Sequence, residues 1–168
     1  MDILEELSRA HSKTQADRVV EYVGDDPDRF AELIALMMGR VYRITQRAAW
    51  PVSICVKLHP ELIVPYFGKL IGQLERDDAH VAVRRNILRL LQFVEIPKRY
   101  HGRIFDVCYK LFADTNEAIA VRVFAMTVAA NIANGDEDLI SELRLVARQH
   151  PEKATSAFRS RSRRVLGV

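Results

Sequence analysis

Four arginines, Arg47, Arg84, Arg122 and Arg159, lie 37, 38 and 37 residues apart. Four apolar columns keep the 37-residue step: Phe30, Phe67 and Ile104; Leu33, Leu70 and Val107; Ile34, Ile71 and Cys108; Met37, Leu74 and Leu111. A period of this length restricts the chain to a stack of like supersecondary units. No unit of that size buries its apolar faces alone, so neighbouring units must supply the core.

The pattern inside each unit is helical. Apolar residues recur at i, i+3, i+4 and i+7, and no sustained alternation marks a strand. The first helix is expected over Ile3 to Ala10, and a second between Ser12, a capping residue, and Gly24. A third opens at Asp25-Asp26-Pro27 and stops at Gly39. A long helix then runs from Arg40 to Leu58 with a kink expected at Pro51, where one backbone donor is missing. Further helices are read over Leu62 to Arg76, Val83 to Val94 and Lys98 to Ala113.

Asp114 to Gly135 reads as one helix, with Asp114 and Glu117 as a capping pair and Gly135 as its stop. Between those ends Arg122 is the one charged residue. A helix apolar around most of its circumference needs neighbours on several sides, so this one is expected in the interior. A helix carrying Leu139, Ile140, Leu143, Val146 and Ala147 follows, then a basic one from about Ala154 to Leu166. The expected fold is therefore all-α, with about ten helices in one domain. Residues 1–39 supply shorter helices, residues 40–153 three repeats, and residues 154–168 a basic capping helix.

These residues carry a resemblance. An acidic turn precedes Val-Arg at the start of a repeat's first helix in Asp77-Asp78 before Val83-Arg84, and in Asp114 before Val121-Arg122. Gln46-Arg47 and Phe158-Arg159 keep the arginine without the valine, and Pro51 supplies the helix proline once. The pattern resembles a HEAT-type (armadillo-like) helical repeat over roughly residues 13–168. The resemblance implies a right-handed α-α superhelix of helix pairs. It also implies a structural role for Arg47, Arg84 and Arg122, pairing with turn acids such as Asp78 and Asp114 or with carbonyls of a neighbouring repeat.

Catalytic motifs are missing. The sequence has no phosphate-binding glycine loop, no His-Glu-x-x-His and no nucleophile elbow. Its five histidines are scattered, and His80 with Asp77 and Asp78 is the nearest approach to an acid-base cluster, in a turn where acids are expected anyway. Cys55 and Cys108 sit in apolar helical surroundings without paired spacing, which suits buried free thiols. No cofactor, metal or catalytic residue is expected, and an enzyme would need a site assembled across repeats. No run of about 18 uncharged apolar residues exists to cross a membrane. The acidic start, Met-Asp-Ile-Leu-Glu-Glu, lacks a leader pattern, and the short, cysteine-poor chain suits a bacterial cytoplasmic protein.

Charge is unevenly spread. Residues 1–40 hold five basic and nine acidic residues, whereas residues 41–168 hold twenty basic and thirteen acidic. Two basic features stand out. Arg99, Arg103, Asp106 and Lys110 share one face of a helix opposite Ile104, Phe105 and Cys108, with Lys69, Gln73 and Arg76 on the comparable face one repeat earlier, the side expected to be concave in a stacked solenoid. This is either a groove for an acidic protein segment or a solvated face. Arg159, Arg161, Arg163 and Arg164 cluster on the last helix, as a polyanion grip or as the polar cap that terminal repeats need. The favoured function is a non-catalytic protein-interaction scaffold. The alternative is a nucleic-acid-binding repeat, loosely similar to the HEAT-like alkylpurine DNA glycosylases. Their catalytic acid and aromatic residues have no matching motif here, so only binding would be implied.

Overall fold

The computed structural model describes residues 1–9, 11–149 and 153–168. Among these residues it holds ten α-helices: α1 (Ile3–Arg9), α2 (Lys13–Val23), α3 (Pro27–Met37), α4 (Tyr42–Leu58), α5 (Phe67–Leu74), α6 (Val81–Leu91), α7 (His101–Ala113), α8 (Ile119–Ile132), α9 (Glu137–Arg148) and α10 (Ser156–Leu166). Two compact units divide the chain, Met1–Leu90 and Leu91–Val168. His150 and the end expected of the first helix, Ala10, lie outside the described residues.

In the first unit α3 packs along α4, and α1 and α2 also lean on α4. Helix α2 begins where the Ser12 hydroxyl accepts the Gln15 N–H, and Gly24 at φ +53° ends it. Asp26 accepts the Asp28 and Arg29 N–H groups to start α3, with Pro27 in its first turn. Each such cap contributes about 1 kcal/mol. The apolar columns are the core: Phe30, Leu33, Ile34, Phe67, Leu70 and Ile71 are fully buried. Each side chain of this size contributes about 1.5–3 kcal/mol by leaving water. Helix α4 continues through buried Pro51, so the missing donor does not end it.

In the second unit α8 has α7, α9 and α10 against it. Val121, Val123, Ala125, Met126, Val128, Ala129 and Ala130 are all buried, so burial runs around the helix. The interior position follows from that composition. The same columns continue here in Ile104, Val107, Cys108 and Leu111, all buried.

Four helices are shorter than the periodicity suggests, three of them for a local reason. Asp114 accepts the Asn116 N–H at 2.8 Å and Glu117 accepts the Ala118 N–H at 2.9 Å. Those bonds close a turn, and α8 starts only at Ile119, because a short acidic side chain offers the backbone an alternative to helix. Residues Pro60–Tyr66 form a 3-10 segment ahead of α5. Pro65 within it has no N–H and disfavours α geometry in the residue before it. Lys98–Tyr100 likewise form a 3-10 turn after Pro97, and α7 begins at His101. Helix α6 stops at Leu91, short of Val94, which leaves Phe93 84 % exposed.

Candidate functional site

The arginine column shows one chemistry three times. Arg47 on α4 donates to the Leu7 and Ser8 carbonyls in the last turn of α1, at 2.8 and 2.9 Å. Arg84 on α6 donates to the Arg76 and Asp77 carbonyls just past the end of α5, at 2.8 and 3.1 Å. Arg122 on α8 donates from Nε to the Phe112 carbonyl near the end of α7, at 3.1 Å. The last carbonyls of a helix lack intrahelical donors and carry the negative end of its dipole, so a cation there satisfies both. Arg122 is 4 % exposed, and its guanidinium lies 4.6 Å from the centre of the Phe158 ring. Burial lowers its pKa, and Asp114 acts in the opposite direction.

The turn acids are placed differently. Arg76 holds Asp78 through two bonds of 2.9 and 2.7 Å, and this pairing pulls the Asp78 carboxyl below its ordinary range. Asp114 spends its oxygen on the turn before α8. His80 accepts the Ala82 N–H on Nδ1 at 3.1 Å, and its ring faces Tyr42 at 5.4 Å. Asp78 is thus engaged with Arg76, Asp77 contributes its backbone carbonyl to Arg84, and His80 caps the start of α6.

The expected partner-binding cations belong to separate units. In the first, Lys69 is exposed with its ammonium 5.6 Å from the Tyr66 ring centre, while Arg76 is the partner of Asp78. In the second, Arg103, Asp106 and Lys110 are exposed on α7 while Ile104, Val107 and Cys108 are buried. Arg99 stands on the 3-10 turn just before α7, exposed, with its guanidinium 5.0 Å from the Tyr100 ring centre.

The arginines of α10 divide sharply. Arg161 turns inward and donates from Nη1 to Gln92 Oε1 at 2.9 Å and Thr127 Oγ1 at 2.8 Å. Burial, with Arg164 nearby, lowers its pKa. Arg159, Arg163 and Arg164 are exposed. Helix spacing explains the split, because buried Phe158, Ser162 and Leu166 define the inner face at i, i+4 and i+8. Two participants escaped the sequence reading. Arg144 donates to the Leu166 carbonyl at 2.9 Å, repeating the helix-end chemistry of the column, and also bonds Glu137. Arg148 lines a hollow of about 290 Å³ together with Arg159 and Arg163. Neither falls in the 37-residue period, so no spacing signalled them.

Burial pushes the Cys55 thiol up to about 11, and Cys108 higher still. Such thiols are poor nucleophiles and poor metal ligands. Among the described residues no group of three or more His, Cys, Asp or Glu could hold a metal ion. No helix among them is long and apolar enough to cross a membrane. A family model described as a HEAT repeat domain matches residues 3–167. No curated protein and no solved structure matches the chain.

Proposed function

The chain belongs to the HEAT repeat domain family, and from that premise we propose that it is a non-catalytic interaction module whose exposed basic helix faces take an acidic segment of another protein. Repeats of this family generally serve as protein-interaction scaffolds. The observation that carries the finer reading is on α7, where Arg103 and Lys110 stand exposed two turns apart while the opposite face is buried. Arg99 on the preceding turn extends the basic surface. A carboxylate-rich segment matches that surface in sign, and long-range attraction speeds its encounter. The column arginines are not part of this surface, because Arg47, Arg84 and Arg122 are engaged with helix-end carbonyls. A cytoplasmic setting fits this reading, and no cofactor enters it.

Fluorescence anisotropy tests it, with a labelled Glu/Asp-rich peptide and a labelled random DNA duplex titrated against wild type and an Arg99→Glu/Arg103→Glu/Lys110→Glu variant. The peptide should bind wild type, and the variant should bind it at least about tenfold more weakly. Undiminished binding to the variant contradicts the assignment. DNA binding that exceeds peptide binding and falls steeply with salt would transfer the chain to the nucleic-acid reading.

A further inference from the structure

The arginine column changes use at its last member. Arg159 stands 37 residues after Arg122, yet it is exposed and has no ion-pair partner among the described residues. The helix-end role is filled in this part of the fold by Arg144, which donates to the Leu166 carbonyl. Arg159 instead lines the hollow between α9 and α10, with Arg148 from the last turn of α9 and Arg163 one turn further along α10. Neither Arg148 nor Arg163 has an ion-pair partner among the described residues, and Lys153 to Val168 contains five basic residues and no acidic one.

The rest of the lining is apolar except for Ser162, whose hydroxyl donates to the Phe158 carbonyl. Ala147, Ala154 and Val168 contribute to the lining, with Phe158, itself 3 % exposed, forming part of the wall. An apolar floor inside a cationic rim is the arrangement of an anchor pocket, where one inserted side chain supplies affinity and flanking charges supply orientation. A simple anion would use the rim and leave the floor wet. A volume near 290 Å³ sits at the small end of ligand pockets, suited to one side chain rather than a whole cofactor.

We propose that the α9–α10 hollow is an anchor site for an acidic peptide that inserts one apolar side chain and sets its carboxylates on Arg148, Arg159 and Arg163. This rests on the reading of the protein as a binder of acidic segments, but it assigns a surface other than α7. Arginine suits the role because its planar fork pairs with carboxylates through two parallel bonds.

The test is a titration of three labelled nonapeptides: Glu/Asp residues around a central Leu, the same peptide with Leu→Ser, and nine Glu. The proteins are wild type, Arg148→Ala/Arg159→Ala/Arg163→Ala, and the α7 charge-reversal variant, each checked for an unchanged thermal midpoint. The Leu peptide should bind wild type at least about tenfold more tightly than its Ser counterpart, since the anchor's burial is lost. That preference should vanish in the hollow variant and persist in the α7 variant. Equal binding of the Leu and Ser peptides overturns the anchor, as does a hollow variant that behaves like wild type. If the α7 variant alone loses binding, the hollow is overturned and the α7 assignment stands. If the hollow variant alone loses binding, the α7 assignment fails and the anchor stands. No peptide binding to wild type overturns both.

Discussion

Arg122 Nε donates to the Phe112 carbonyl at 3.1 Å, so a buried cation on α8 closes the C-terminal end of α7. The same guanidinium lies over the Phe158 ring, which stacks on Phe112 with centroids 5.8 Å apart. One side chain thereby ties α7, α8 and α10 together. Arg122→Ala would leave the Phe112 carbonyl without this donor and a void beside Phe158. It should cost about 2–4 kcal/mol in urea unfolding. Arg122→Lys should recover only part of that, because an ammonium on a flexible stem cannot reproduce the planar contact with the ring.

Arg47 performs the equivalent closure for α1 in a wetter setting, half-buried and shared between the Leu7 and Ser8 carbonyls. Arg47→Ala should therefore cost less, about 1–2 kcal/mol. The loss should be local: hydrogen exchange should speed up in α1 ahead of α4, to which α1 is packed. Uniform acceleration across the first unit would contradict a local role.

The sequence period located the scaffold well and the surface poorly. All four apolar columns are buried, because a residue repeated every 37 positions on a helix must face the same neighbour in each unit. Arg122 was legible for the same reason, as the lone charge in an apolar helix. Helix starts were less so: Asp114 and Pro65 act through local hydrogen bonding that spacing does not encode. The α10 spacing puts Arg159 and Arg163 on one strip and Arg161 and Arg164 on another. It does not show that Arg161, flanking the inner face of Phe158 and Ser162 on the side away from Arg159 and Arg163, turns inward. Arg148 reaches the hollow from another helix, and only tertiary packing brings it there.

Phe93 and Phe158 make a paired test of burial. Phe93 is 84 % exposed and Phe158 3 % exposed. Phe93→Ser should change stability by no more than about 0.5 kcal/mol. Phe158→Ala removes the ring against Arg122 and Phe112 and should cost about 3–5 kcal/mol. Chemical denaturation of the two variants checks both values.

The buried thiols set an alkaline limit. The folded Cys55 pKa is raised from 9.0 to about 11 by burial, and Cys108 is raised further. Below pH 9.0 both thiols are protonated whether folded or unfolded, so their contribution is fully present there. As pH rises through the folded value of about 11, the unfolded thiols ionise first and stability is lost. The slope approaches about 1.4 kcal/mol per pH unit for each thiol. Thermal midpoints from pH 8 to 10.5 should fall in wild type and fall less in Cys55→Ala/Cys108→Ala. Equal slopes would contradict the burial assignment.

Arg122 and Arg159 occupy one repeat position, the first engaged with a helix end and the second exposed. The most direct measurement is calorimetry of Arg122→Ala and Arg159→Ala beside wild type. Arg122→Ala should lower the unfolding midpoint by roughly 5–10 °C, given about 2–4 °C per kcal/mol for a chain of this size. Arg159→Ala should leave it within about 1–2 °C. Equal losses in the two variants would contradict the division of the column into scaffold and surface.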